Sequence, residues 1–268
     1  MTASAVGTVT MIITAYLGGA FAATSAVRVA VLPDRGIAAT ANGNAPNAAP
    51  SCAKDAVVAT VATARIDARV SPDPSSRVVG RFARTNVLGS PQTFLVQRSV
   101  TGTDGETWHQ VLLPIRPNET TGYVPQKRVH VNVTPYRLLL QRDQFRLRFY
   151  SRCKLLDSFK VGIGTGETPT PLGHFFLASL LRLPDPDTIY GTYAYGLSGY
   201  SEVLRNWELG GIIGLHGTNA PSTVGRRSSH GCIRMYNRDI ERLVRVLPLG
   251  TPITIVRSGG SVADSFAA

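Results

Sequence analysis

The sequence predicts a mainly β protein: two small β-rich units in tandem, with one helix near the C-terminal end. Three observations carry that expectation. Between Val57 and Val131, short runs rich in Val, Thr, Phe and Leu are broken by turn sequences at Ser71-Pro72-Asp73-Pro74, Gly89-Ser90-Pro91, Thr103-Asp104-Gly105 and Asn118 to Gly122. From Tyr136, Leu138 and Leu140, then Phe145, Leu147 and Phe149, alternate with other residues across the turn Arg142-Asp143-Gln144, the pattern of a hairpin with one buried face. Ile240, Leu243, Val244 and Leu247 repeat at helical spacing.

Taken in order, Met1 to Ala23 holds no Lys, Arg, Asp or Glu, and its apolar centre MIITAYLGGAFAA precedes an Ala20-Phe21-Ala22 cleavage pattern. Residues 1–25 therefore read as an export signal; the missing basic n-region keeps an uncleaved membrane anchor and a misplaced start open. Residues 26–55 contain IAATANGNAPNAAPS, with almost nothing to bury, and read as a flexible tether. The first folded unit is expected over 56–132 and the second over 133–258. Within the second, the run Leu155 to Ile163 leads into the loop GTGETPTPLG and then an apolar stretch, His174 to Leu181. Leu183 to Asn206 carries Tyr190, Tyr193, Tyr195 and Tyr200 among Gly, Ser and Pro, and reads as a lid beside a site or as a packed surface excursion. Asn237 is the expected N-cap of the helix, with Asp239 and Glu241 in its first turns and Arg242 and Arg245 toward its C-terminal end. Thr251 to Val256 reads as a last strand, and 259–268 as a disordered tail.

A hydrophobic content of 43% with 17% charged residues belongs to a folded chain. The excess of 28 Lys+Arg over 17 Asp+Glu, a net +11, draws the protein toward anionic surfaces. Without a compact Lys/Arg run, zinc-finger spacing or an aromatic RNA-binding signature, that surface is read as the cell envelope rather than nucleic acid. Cys52, Cys153 and Cys232 are too far apart for a dense disulfide framework or a CxxC metal knuckle. Export would allow Cys52 and Cys153 to pair, leaving Cys232 as the reactive thiol.

The chemistry concentrates in IIGLHGTNAPSTVGRRSSHGCIRM, from Ile212 to Met235. His216 ends an apolar strand, and Cys232 follows a glycine-bearing turn. A thiol with a pKa of about 8.5 needs an imidazole, a helix N-terminus or a cation to become a nucleophile at neutral pH. His216 or His230 supplies the first, the following helix the second, and Arg226, Arg227 and Arg234 the third. Gly231 gives a carbonyl room to approach, and its N–H with that of Cys232 is a candidate oxyanion hole. His216, His230 and Cys232 lack the Asp, Glu or second Cys that would complete a zinc set. His109, His130 and His174 form no constellation.

This stretch resembles the catalytic motif of L,D-transpeptidases, carried by His216, Gly217, Ser229, His230, Gly231, Cys232 and Arg234, with Thr170-Pro171-Leu172-Gly173 similar to that family's Thr-Pro-x-Gly turn. The resemblance covers roughly Thr134 to Arg257. It implies that Cys232 is the nucleophile, His216 the general base, and the Gly217 carbonyl the group that fixes the imidazole tautomer. Ser229, His230 and Gly231 would shape the site, and Arg234 would meet a substrate carboxylate or brace the loop. Tyr195, in the tyrosine-rich segment that the motif does not anchor, is a further candidate to shape or bind at the site. The implied substrates are peptidoglycan stem peptides: the carbonyl of the third residue is attacked, D-alanine leaves, and a second stem's amine completes a 3–3 crosslink. No metal or organic cofactor is implied. Water as acceptor would make the same site an L,D-carboxypeptidase, a lipoprotein amine would make it an anchoring enzyme, and loss of turnover would leave a cell-wall-binding protein. Upstream, ARIDARVSPDPSSRVVGRF, DGETWHQVLL and GYVPQKRVHV resemble a bacterial SH3-like β-barrel, with Trp108 and Tyr123 in the aromatic positions. That resemblance implies an accessory role.

Overall fold

The computed structural model describes residues 54–258, together with two short strands, β1 (Thr10–Met11) and β2 (Val27–Arg28), which pair antiparallel. The rest of the expected export segment and tether, Cys52 and the expected tail lie outside the described residues.

The punctuated first half forms β3 (Ala56–Val61), β4 (Arg65–Arg69), β5 (Val78–Ala83), β6 (Thr93–Thr101), β7 (Thr107–Leu112), β8 (Thr121–Pro125) and β9 (Val129–Thr134). They make one antiparallel sheet in the order β5-β4-β8-β7-β6-β3-β9. The turns have local causes. Asp73 Oδ1 accepts the Ser75 N–H at 2.8 Å, and Gly89 takes φ 77°, a conformation costly to any residue with a Cβ. Three strands separate β5 from β6 in the sheet, yet the Phe82 and Phe94 rings meet edge to face at 5.0 Å. The sheet therefore curls around a core that also holds Ile66, Val111, Leu113 and Val124. Trp108 is buried, its Nε1–H donating to Asp104 Oδ1 at 2.9 Å, while the Tyr123 hydroxyl is partly exposed and accepts from Arg98.

The second half forms β10 (Tyr136–Gln141), β11 (Arg146–Ser151), β12 (Lys154–Lys160), β13 (Ile163–Gly164), β14 (Gly173–Arg182), β15 (Tyr193–Tyr200), β16 (Ile212–His216), β17 (Arg227–Ser229), β18 (Ile233–Arg234), α1 (Asn237–Val244) and β19 (Pro252–Val256). An eight-stranded sheet runs β12-β11-β10-β19-β14-β15-β16-β18, and β13 pairs separately with β17. One face packs Leu138, Leu140, Leu147, Phe149, Phe175 and Ile253 against Ile240 and Leu243 of α1. The alternation of the β10–β11 hairpin across its 3-10 turn at Arg142–Gln144 is as the sequence predicts, but both faces are covered: Leu139 and Tyr150 are buried on the other side with Val256. A sheet centre leaves neither face to water.

Two expectations are corrected. Tyr193 to Tyr200 is not a loop but β15, a central strand; its glycines and serines fit because Gly196 packs on Leu88 and Gly199 on the Phe175 ring, where a Cβ would stand 3.1 and 2.5 Å away. Asn237 is not the N-cap: Tyr236 is, and Asn237 is the first helical residue.

The two sheets are joined closely. Leu112 and Leu95 pack on Phe176 and Ala178, and Asn86 Nδ2 donates to Ala178 O and Ser179 Oγ, both at 3.0 Å. Phe176→Ala empties a fully buried position between the sheets and is expected to cost about 3–5 kcal/mol. Leu156→Ala, on an exposed edge, should stay within about 0.5 kcal/mol, with urea denaturation reading both.

Candidate active site

Parallel pairing of β16 with β18 sets Leu215 opposite Ile233 and His216 opposite Arg234, and the Met235 N–H closes on His216 O at 2.8 Å. This register carries Cys232, one residue before β18, to the strand that ends in His216. The Gly214 N–H donates to Cys232 Sγ at 3.3 Å, and a Cβ on Gly214 would stand 3.3 Å from His216 Cδ2 and 3.6 Å from Cys232 Sγ. Thiol and imidazole thus bracket one point over Gly214, a glycine the sequence reading did not single out.

The His216 ring is buried and its Nδ1 lies 2.6 Å from Gly217 O. A carbonyl only accepts, so Nδ1 carries the proton and Nε2 keeps its lone pair. Gly217 is itself tightly held: a Cβ there would meet Asn237 Oδ1 at 2.2 Å, and one on Gly191 would meet it at 2.1 Å. That same Oδ1 accepts the Thr218 N–H at 2.9 Å. Asn237 therefore fixes the backbone beyond His216 from the first turn of α1. On the open side, the Tyr190 ring meets His216 edge to face at 5.0 Å. Tyr190 was visible only as one of four tyrosines, and nothing local marks the side chain that reaches the histidine.

The cysteine turn is stapled from within. Ser229 Oγ donates to Cys232 O at 2.6 Å and accepts the Gly231 N–H at 3.2 Å. The expected oxyanion hole is corrected to that extent, because the Gly231 donor is already engaged. Gly231 has φ +114°, a backbone only glycine adopts readily. Its carbonyl accepts Thr170 Oγ1 at 2.7 Å, and Thr170 Oγ1 in turn accepts the Gly164 N–H at 2.9 Å. Arg142 Nη1 donates to Thr170 O at 2.7 Å. Thr170, recognised from sequence as part of a turn, is the buried link between β13 and the cysteine turn.

The remaining predicted residues separate. His230 is exposed and stacks on Trp207 at 5.2 Å. Arg227 pairs with Asp143 at 2.8 Å and belongs to the surface. Arg234 is partly buried; its Nε has no hydrogen-bond partner among the described residues, and its charge acts on both His216 and Cys232. Tyr195 is corrected: it is fully buried in the sheet core, and its hydroxyl donates to Leu247 O at 2.9 Å, bracing the segment after α1 rather than facing a cleft. Cys153 is disulfide-bonded and Cys232 is a free thiol; Cys52, the expected partner of Cys153, lies outside the described residues.

Electrostatically the pair is neutral at rest. Burial pushes the His216 imidazole down to about 4, against the Gly217 hydrogen bond, which favours the cation; Arg234 adds to the lowering. Burial also pushes the Cys232 thiol up, opposed by the Gly214 N–H and Arg234. The site can pass a proton from sulfur to an unprotonated Nε2 as a bond forms, and it does not store an ion pair.

Residues 126–255 match the family model YkuD, described as the L,D-transpeptidase catalytic domain. The chain is 32% identical over 159 residues to YkuD of Bacillus licheniformis, covering 57% of this chain and 88% of that protein. It is 30% identical over 123 residues to YkuD of Bacillus subtilis, covering 46% of this chain and 67% of that one. A solved structure, that of Bd1075 from Bdellovibrio bacteriovorus, aligns with 50% of this chain and 52% of its own at 27% identity and a TM-score of 0.40. The chain belongs to the L,D-transpeptidase family.

The His216 shift predicts a pH dependence of stability. A solvated imidazole titrates at 6.5 and the folded one at about 4, so the unfolded chain takes up the proton first as pH falls. The contribution is fully present above about 6.5 and is lost progressively toward 4, on the order of 3 kcal/mol in total. Urea denaturation from pH 7 to 4 should show this loss in the wild type and not in His216→Gln; parallel curves for the two would contradict it.

Proposed function

We propose that this protein is a peptidoglycan L,D-transpeptidase in which Cys232 accepts the acyl group and His216 is the general base. The observation that carries the reading is the Nδ1–H donated to Gly217 O, which leaves Nε2 unprotonated in the same enclosed space as the thiol. With both groups neutral, Cys232 Sγ attacks the carbonyl carbon of the third stem residue while its proton moves to His216 Nε2. The C–N bond to the terminal D-alanine breaks, the departing nitrogen takes that proton, and a thioester remains. The side-chain amine of a second stem then attacks the thioester and gives a proton to Nε2. That proton returns to the expelled sulfur, leaving a 3–3 crosslink. Thiolate character appears only as the bond forms, where the field of Arg234 favours it. Ser229, Gly231 and Thr170 hold the nucleophile's turn, while His230 contributes to its rim.

Envelope localisation is part of the proposal. The disulfide-bonded Cys153 is the state expected in an oxidising compartment, and the +11 charge suits an anionic wall. The curled β3–β9 sheet is read as an SH3-like accessory unit without chemistry of its own.

The test is mass spectrometry of purified disaccharide-tetrapeptide incubated with the folded protein and with Cys232→Ala. Loss of one alanine and appearance of a dimer, both absent in the variant, is expected. Alanine loss without dimer would make the enzyme a carboxypeptidase, and unchanged substrate would overturn the catalytic reading. In the same assay His216→Gln should lower turnover by about 10²–10⁴-fold. The acid limb of wild-type acylation should fall near pH 4 rather than near 6.5.

A further inference from the structure

The segment 201–211 between β15 and β16 carries Trp207 against His230, two residues before the cysteine. Within this loop the hydrogen bonds are short-range: Ser201 Oγ accepts the Leu204 N–H at 3.1 Å, and Trp207 O accepts the Gly210 N–H at 2.9 Å. Val203, Trp207 and Leu209 are exposed, so burial does not drive its shape, and Leu209, Gly210 and Gly211 run with φ of 54, 67 and 73°. A left-handed leucine persists only where its surroundings over-determine it. Here they do so from the other sheet. Arg116, in the turn between β7 and β8, donates from Nη1 to Ser201 O at 2.6 Å and from Nη2 to Gly210 O at 2.7 Å, one carbonyl at each end of the loop. The Ser201 N–H closes the same mouth on Gly211 O at 2.8 Å. Arg116 is itself held: its guanidinium lies 4.9 Å over the Tyr200 ring, whose hydroxyl donates to Pro114 O at 2.8 Å. Asn118 and the Tyr200 backbone exchange two hydrogen bonds of 2.9 Å.

We propose that Arg116 is a positioning residue for the acyl-transfer site: it grips both ends of the 201–211 loop, keeps Trp207 stacked on His230, and so builds from the N-terminal sheet the wall that holds the stem peptide beside Cys232. The substrate half of this inference rests on the reading of Cys232 as nucleophile. The planar fork of arginine reaches two carbonyls at fixed separation, whereas lysine presents a single point donor, so charge alone does not substitute. Arg116 touches no reacting atom. Its loss should weaken capture of a large peptide and spare the reactivity of the thiol.

The experiment compares wild type, Arg116→Met, Arg116→Lys and Trp207→Ala in full-length protein. Alkylation of Cys232 by iodoacetamide, a probe too small to need the wall, should stay within about twofold in all four, which also certifies that each is folded. KM for disaccharide-tetrapeptide should rise about tenfold or more in all three variants, with kcat changed far less. Acrylamide quenching reads the loop without any substrate, because Trp108 is 3% exposed and Trp207 is 50% exposed. Quenching should increase in Arg116→Met, and only partly recover in Arg116→Lys. Unchanged quenching and KM in Arg116→Met would overturn the proposal, as would a raised KM in Arg116→Met that Trp207→Ala does not share. If the wild type leaves the tetrapeptide untouched, the Cys232 reading fails by itself, and quenching still decides whether Arg116 holds the loop.

Discussion

The parallel pairing of β16 with the two-residue β18 is the constraint on which the site depends, because it sets the thiol and the imidazole side by side from opposite ends of a long loop. Side chains on a strand alternate between faces, so a slip of one residue in this register would turn the cysteine side of the pairing away from His216. The register is held at several points. Met235 closes on His216, Gly162 exchanges two backbone hydrogen bonds with Arg234, and Ser229 ties the turn back to Cys232. Beneath it, Ile233, Leu215 and Met235 are buried in the main core, so the short strand is fixed by packing more than by its own length.

Glycines surround this pairing for reasons of space. Gly214 leaves room for sulfur and ring, Gly217 and Gly191 admit Asn237 Oδ1, and Gly164 admits the Cα of Gly231, which would be 2.9 Å from any Cβ there. Such contacts bury the imidazole and partly enclose the thiol, and the loss of water around them favours the neutral form of both. In the proposed reaction a neutral pair forgoes the permanent thiolate, so sulfur would become a strong nucleophile only as its proton leaves.

The N-terminal sheet enters this arrangement through particular groups and not by general proximity. Asn86 and Ser90 bond to β14, Glu119 Oε1 accepts the His174 N–H at 2.9 Å, and Arg116 with Asn118 fixes the strand and loop that precede His216. A module read from sequence as an accessory is, in the fold, a support of the strand order in its neighbour.

Much of this was legible in one dimension. Turn sequences placed the strands between 56 and 134, alternation placed the β10–β11 hairpin, and the spacing of His216, Gly217, Ser229, His230, Gly231 and Cys232 picked out the site, because these signals lie within short stretches of chain. Tyr193 to Tyr200 resembles a loop in sequence because the small residues that mark loops are also what this central strand needs beneath Leu88 and Phe175. Asn237 looks like a cap in sequence by its type and position, yet its side chain serves the Thr218 N–H, a partner distant in the chain. The sequence by itself determined the β class and singled out the cysteine-histidine pair proposed to carry the chemistry, because both signals reside in residue type and local order. Tertiary structure decided the charge state of the pair, the retirement of Tyr195 into the core, and the reach of Arg116 across two sheets. Burial and close approach between distant segments are properties of the packed chain, and no local pattern encodes them.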